Sequence, residues 1–189
     1  AAASEEILKL ATDTVTRTNP TVQLVNATML MASSDCEGAL TALSQVNEPE
    51  CTALAVQILL QMDRLDLARK ELKKLQEMDD DATITQLATA WVDFAVGGEK
   101  YQEAFYIYQE LTDKYGATVM LLNGQASAYM HQGNWSDAEE VLLQAQDKAS
   151  DDVDTLSNLL VCSLHLGKGR DVVARLIAQL KDSAPTHPF

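Results

Sequence analysis

Two histidines and three cysteines are the residues of this sequence best suited to metal chemistry. His131 and His165 lie 34 residues apart, so in a helical repeat of that period they occupy equivalent places on stacked helices and are a conceivable metal pair. Cys36, Cys51 and Cys162 are scattered along the chain without CxxC or other metal-type spacing, and no third ligand joins the histidines. We therefore expect no bound metal and three free, mostly buried thiols.

Residue patterns for catalysis are missing from the sequence as well. It contains no nucleophile–histidine–acid set, no glycine-rich phosphate loop and no HExxH motif. Carboxylates are plentiful, but they fall in acidic turns such as 151–152, where they suit the amino-terminal ends of helices. These observations predict a protein that is not an enzyme, binds no cofactor and has no small-molecule substrate.

Charge and hydropathy narrow the choice of partners further. The formal net charge is −14, and so acidic a surface repels nucleic acid backbones and anionic lipid headgroups. The apolar runs are too short to cross a bilayer. Scattered thiols are typical of a reducing compartment. We therefore predict a cytoplasmic protein that binds other proteins, with no nucleic acid partner and no direct membrane insertion.

A 34-residue repeat supplies the elements that position these side chains. The clearest unit spans 119–152, and its first half carries Leu122, Ala126 and Tyr129 at helical spacing. A turn containing Gly133 follows, and the second half repeats the spacing with Ala138, Leu142 and Ala145. Such a unit is a pair of amphipathic helices that must stack on the next pair to bury its apolar stripe. It resembles the tetratricopeptide repeat (TPR) pattern.

Sliding this pattern along the chain predicts an all-α, TPR-like solenoid of helical hairpins, a right-handed superhelix with about 11 helices. We expect one domain over 1–189. Its irregular repeats are predicted at 20–48 and 49–83, and its clearer ones at 84–118, 119–152 and 153–184. The expected helices are 4–17, 20–33, 36–46, 50–62, 65–78, 81–96, 101–114, 118–132, 135–149, 152–166 and 169–182.

The first helix of each pair lines the inner groove of such a superhelix. All 14 Lys and Arg residues fall outside the first-helix segments, so a groove that clamps a terminal carboxylate with cations is disfavoured. We predict a neutral, partly apolar groove for a partner segment. Some of these side chains could instead pack between repeats. The predicted groove residues are Asn123, Met130, Ser127, Met120, Gln57, Leu60, Gln61, Val161 and Leu164.

Three stretches go beyond what the TPR pattern requires. They are MDRLDLARKELKKLQ at 62–76, ATITQLATAWV at 82–92 and LLNGQA at 121–126. On these the chain, from about Leu30 onward, resembles the epsilon subunits of coatomer, the coat of COPI transport vesicles. Chains of that family extend further at both ends, so the resemblance implies that these residues are a fragment of a longer chain.

The resemblance implies a function as well as a fold. Coatomer epsilon subunits are non-enzymatic coat components that pair with the carboxyl-terminal domain of the alpha subunit, within the alpha, beta-prime and epsilon subcomplex. The coat acts on the cytosolic face of Golgi membranes and vesicles, in Golgi-to-endoplasmic-reticulum retrieval and intra-Golgi transport. In this family the solenoid curls around a protruding part of the alpha partner. A generic TPR interaction adaptor is the alternative that the sequence leaves open.

Overall fold

The computed structural model describes residues 9–10, 12–13 and 18–185. Within residues 18–185 it contains ten α-helices and no strand, which confirms the all-α class. The predicted helix over 4–17 lies outside the described residues, apart from 9–10 and 12–13. The helices are α1 (Pro20–Ala32), α2 (Cys36–Leu43), α3 (Pro49–Gln61), α4 (Leu65–Met78), α5 (Thr83–Val96), α6 (Lys100–Tyr115), α7 (Val119–His131), α8 (Trp135–Lys148), α9 (Val153–His165) and α10 (Arg170–Ser183).

The chain divides into two compact units. Helices α1–α5 belong to the first, which ends at Val96, and helices α6–α10 belong to the second, which begins at Gly97. In each unit short turns join successive helices, and first helices of neighbouring hairpins also touch, as α3 and α5 do in the first unit and α7 and α9 in the second. The single domain over 1–189 and the superhelical handedness stay predictions.

Four hairpin turns, two in each unit, use one residue in the left-handed region just after the first helix. Gly133 and Gly167 take this conformation in the second unit, with φ of 79° and 64°, as the glycine-containing turn predicted. The first unit uses Ser34 and Asp63 at the same point, with φ of 65° and 58°. A left-handed residue lets the chain reverse and satisfies the last carbonyls of the first helix. The turns of the first unit therefore adopt the same backbone geometry without a glycine.

Small and large apolar residues alternate in the cores as the repeat predicts. Ala138, Leu142 and Ala145 of α8 are all fully buried, and so are Ala68 and Leu75 of α4. An alanine lets two helix axes approach, and the larger side chain one or two turns later fills the space beside it. One core cluster in the second unit joins α7, α8, α9 and α10. This packing holds the first helices α7 and α9 side by side.

Candidate partner-binding groove

An open groove of about 660 Å³ runs between α7 and α9 in the second unit. Three of the predicted groove residues, Met120, Asn123 and Ser127, line it. The remaining lining residues are Tyr108, Val119, Gly124, Asp152, Asp154, Ser157 and Asn158. These three residues therefore share one concave surface, which also has lining residues that the sequence did not identify, and its role in partner binding stays a prediction.

Asn123 lies at the centre of the hydrogen bonds that hold α7 against α9. Its Nδ2 donates to the Thr155 hydroxyl at 2.8 Å and to the Val119 carbonyl at 3.0 Å. Its Oδ1 accepts from Nδ2 of Asn158 at 3.0 Å. Thr155 in turn donates to the Asp152 carboxylate at 2.7 Å. Because both Nδ2 and Oδ1 of Asn123 make hydrogen bonds across the helix interface, this side chain joins α7 to α9.

The floor of the groove depends on an aromatic ring packed against a glycine. Tyr108 of α6 is 5% exposed, and its ring occupies the space where Gly124 of α7 would carry a side chain. A Cβ at Gly124 would lie less than 3.0 Å from three ring atoms, which is closer than nonbonded carbons approach. Gly124 therefore permits α6 and α7 to pack at this distance.

Two carboxylates form one end of the groove. Asp152 caps α9, because its side chain accepts from the Thr155 backbone N–H at 2.9 Å. Asp154 lies in the first turn of α9 and is exposed. Among the described residues no Lys or Arg lines the groove, which is consistent with the position of all Lys and Arg residues outside the first-helix segments. The expectation of a neutral groove is wrong at this end, because the cap and the first turn of α9 place two carboxylates in the lining.

The other predicted residues lie outside this groove. Leu60 packs against the core of the first unit and Met130 against that of the second, so both contribute to packing between repeats. Gln57 and Gln61 of α3 are exposed, and Val161 of α9 is half-buried. Leu164, near the end of α9, is 58% exposed. Met120 is similarly accessible, with 60% of its surface exposed. Such exposure is unusual for large apolar side chains.

The two repeat-related histidines pack against aromatic rings. His165 stacks on Trp135 with ring centroids 3.7 Å apart and an interplanar angle of 3°. His131 lies against Tyr101, with centroids 4.9 Å apart. In each pair the aromatic residue lies at the start of a second helix and the histidine ends the following first helix. The side chains that suggested a metal pair thus make ring contacts between repeats.

The cysteines have the burial expected of core residues. Cys36 is half-buried, whereas Cys51 and Cys162 are buried. Burial raises the pKa of the Cys162 thiol from 9.0 to about 11, and the negative charge of Glu139 adds to the rise. Burial also raises the pKa of Cys51, with two nearby glutamates adding to it. The thiolate is the reactive form of cysteine, so the raised pKa values keep these two side chains mainly in the less reactive thiol form at neutral pH.

Comparison with known proteins identifies relatives for nearly the whole chain. The family described as coatomer epsilon subunit matches residues 2–189. Coatomer subunit epsilon-2 of Oryza sativa subsp. indica is 45% identical over 185 residues, covering 98% of this chain and 61% of the relative. Coatomer subunit epsilon of Dictyostelium discoideum is 34% identical over 184 residues, covering 97% of this chain and 61% of the relative. The chain thus spans about three-fifths of their length.

Solved structures support the fold independently of sequence. A thermophilic TPR protein of Thermus thermophilus superposes with a TM-score of 0.77 at 18% identity, over 88% of this chain and 92% of that one. A tetratricopeptide repeat protein of Parabacteroides merdae gives a TM-score of 0.74 at 14% identity, over 95% and 77% of the two chains. These similarities confirm the TPR-like architecture. Within the described residues no helix is both long and apolar enough to span a membrane.

Proposed function

The chain belongs to the coatomer epsilon subunit family, and from that membership we propose that it is a non-catalytic structural subunit of the COPI vesicle coat. The observation that carries the proposal is the family match over residues 2–189, together with 45% identity to a rice epsilon subunit over 98% of the chain. In this role the chain contributes binding surface rather than chemistry. It works on the cytosolic face of Golgi membranes and COPI vesicles, in Golgi-to-endoplasmic-reticulum and intra-Golgi transport.

The proposed partner is the carboxyl-terminal domain of the coatomer alpha subunit, which the chain binds and stabilises. The groove between α7 and α9 supports this role, since a concave surface with polar groups in its lining suits a protruding partner segment. Met120 and Leu164 add exposed apolar area on the same two helices. Water leaves these side chains when a partner covers them, and that release favours binding.

A TPR adaptor that clamps a terminal carboxylate is the less favoured alternative. Such a clamp needs cationic side chains to form charge-assisted hydrogen bonds with the peptide end. In the described groove the charged lining residues are Asp152 and Asp154. They would repel a carboxylate, so the groove electrostatics favour a different kind of partner segment.

Calorimetric titration of the chain with the alpha carboxyl-terminal domain, followed by size exclusion, tests the proposal. We expect one-to-one binding that weakens by about five- to tenfold in Met120→Ala or Leu164→Ala, since each loses roughly 1 kcal/mol of apolar contact. The matched control is Leu143→Ala, because Leu143 is 48% exposed but lies on the second helix α8. Its affinity should equal that of the unmodified chain.

Two results would count against the proposal in different ways. If the alpha domain does not bind, the assigned partner is wrong for this part of the family's chain. If it binds and all three alanine variants behave alike, the partner is right but the first-helix surface is not the contact.

A further inference from the structure

We propose that a pocket between the second helices α2 and α4 binds an acidic segment of a partner protein through one large apolar side chain, such as Phe or Leu. The apolar side chain enters the pocket, and acidic residues beside it meet Lys70 and Lys74 at the rim. This outer pocket is bounded by α2, residues 44–47, α3 and α4. It shares no residue with the groove between α7 and α9, so it is a second binding surface, beyond the proposed function.

The outer pocket exists because α2 is short. Helix α2 has eight residues and α4 has fourteen, which corresponds to lengths of about 12 Å and about 21 Å. After Leu43 the chain turns toward α3 through residues 44–48, so α2 cannot cover the whole length of α4. The space that remains has a volume of about 440 Å³, which is within the size range of pockets that bury small ligands.

The lining of the outer pocket is mainly apolar. Its apolar side chains come from all three helices and from the turn after α2, and they include Leu40, Leu43, Val46, Ala55, Leu59 and Leu67. Water in contact with these side chains is released when an apolar group enters, and that release favours binding. A large apolar side chain held in such a pocket commonly dominates the binding energy of a protein interface.

The outer pocket lies on a different side of α3 from the predicted first-helix surface. Ala55 and Leu59 line the pocket. Gln57 and Gln61 each follow one of these residues by two positions, which is about 200° around the helix, so they face away from the pocket. Both glutamines are exposed. A segment bound in the outer pocket therefore does not occupy the side of α3 on which Gln57 and Gln61 lie.

Helix α4 supplies the cations that favour an acidic segment. It carries four basic and three acidic side chains, in a chain whose net charge is −14. Lys74 lines the pocket, and Lys70 lies four positions before it on the same side of the helix. Lys74 is paired with Glu71 at 2.7 Å, whereas none of the ion pairs found among the described residues involves Lys70. A carboxylate arriving at the rim would therefore meet both lysines, one of which is not held by an ion pair.

These lysines do not serve the packing of the repeat. The buried face of α4 consists of Ala68, Leu72 and Leu75, and Lys70 and Lys74 are exposed. Both lysines belong to the stretch 62–76, which goes beyond what the TPR pattern requires. A binding surface accounts for their presence beside the pocket, because core packing does not involve their charged ends.

An acidic protein segment fits this surface better than a membrane does. A basic helix can attract anionic lipid headgroups, but the chain as a whole is strongly acidic and an anionic membrane repels it. The outer pocket is also concave. A concave apolar site beside cations matches a protruding side chain that is flanked by carboxylates.

The test uses the 189-residue chain and three acetylated, amidated pentapeptides. The first has the order Glu, Ser, Phe, Ser, Glu; the second has Ala in place of Phe, and the third has Lys in place of both Glu residues. Nuclear magnetic resonance titration follows the side-chain amide signals of Gln45 and Asn47, which line the pocket. We expect the first peptide to shift these signals, the second to bind about tenfold more weakly or worse, and the third to leave them unmoved.

Variants of α4 test the charge contact. Lys70→Gln and Lys74→Gln should each weaken binding of the first peptide by about two- to fivefold. The matched control is Lys73→Gln, which makes the same charge change on the same helix; Lys73 is exposed and is not part of the pocket lining. Its affinity for the first peptide should equal that of the unmodified chain.

Three results would overturn the proposal. Equal weakening in all three variants would reveal general attraction to a basic helix. Equal binding of the first and second peptides would mean that no apolar side chain enters the pocket. Failure of the first peptide to shift the signals of Gln45 and Asn47 would mean that the pocket does not bind such a segment.

Sedimentation with phosphatidylcholine vesicles, with and without phosphatidylserine, tests a membrane as the alternative occupant. We expect the chain to stay in solution with both kinds of vesicle. Binding to the phosphatidylserine vesicles that is reduced by Lys70→Gln and Lys74→Gln would overturn the proposal, because the same lysines would then serve a lipid surface.

Discussion

The substitution Gly124→Ala tests the packing that forms the floor of the groove. On an isolated helix this change is favourable, because alanine exceeds glycine in helix propensity by about 1 kcal/mol. Here the new Cβ would lie less than 3.0 Å from three atoms of the Tyr108 ring. The ring is nearly completely buried, so it has little room to move, and overpacking of this kind costs about 1–3 kcal/mol.

The clash should outweigh the propensity gain of about 1 kcal/mol, so we expect Gly124→Ala to lower the free energy of unfolding by up to about 2 kcal/mol. Urea denaturation followed by far-ultraviolet circular dichroism measures the change. The control is the same substitution in a Tyr108→Ala background, where the obstructing ring is absent. There Gly124→Ala should stabilise the protein by up to about 1 kcal/mol, so the effect changes sign.

Stabilisation by Gly124→Ala in the presence of Tyr108 would refute this reasoning. It would mean that α6 and α7 separate, or that the ring turns away, at negligible cost. An equal destabilisation in both backgrounds would also refute it, because the ring could then not be the obstacle. The double-mutant cycle therefore tests the contact itself rather than the sensitivity of the helix to substitution.

Three further predictions follow from the second unit. Asn123→Ala should lower the free energy of unfolding by about 1–3 kcal/mol in a urea titration, because it leaves partners of the α7–α9 hydrogen bonds unsatisfied; an unchanged midpoint would show that these bonds add nothing. Leu142→Ala should cost about 2–5 kcal/mol by the same measurement, because this leucine is fully buried, and a loss below 1 kcal/mol would contradict the assigned core. In thiol labelling at pH 8, Cys36 should react in the folded chain and Cys162 only after unfolding. Burial raises the pKa of Cys162 from 9.0 to about 11 in the folded state, so the thiol ionises at a lower pH in the unfolded chain. The free energy of unfolding should therefore fall as the pH rises from about 9 to about 11. Rapid labelling of Cys162 in the native chain would contradict its burial.

The role of Asn123 changes how the groove should be probed. The sequence suggested that Asn123 and Met130 contact a partner, and an alanine substitution at either would then measure binding. In the structure Asn123 joins α7 to α9 and Met130 packs against the core. Loss of affinity in either variant would therefore mix binding with stability. Substitutions at Met120 and Asp154, which are exposed, report on the groove more directly.

Local patterns in the sequence are enough to predict the helices found between residues 18 and 185, their hairpins and the family. The small and large apolar residues recur at helical spacing, and the 34-residue period repeats that spacing, so local periodicity is enough to specify amphipathic helix pairs. Among the ten helices between residues 18 and 185, the one clear difference from the predicted boundaries is α2, which ends at Leu43 rather than at 46. Helix ends depend on capping and packing as well as on periodicity.

The set of side chains that share the groove depends instead on how α7 and α9 pack together. Asn123 and Thr155 are 32 residues apart, and nothing in the periodicity of either helix sets the register of one against the other. The same register places Asp154 in the groove wall and leaves Met130 against the core. A periodic pattern identifies the face of a helix that is apolar, but contacts between helices depend on how their side chains interlock, and that depends on every residue along both helices.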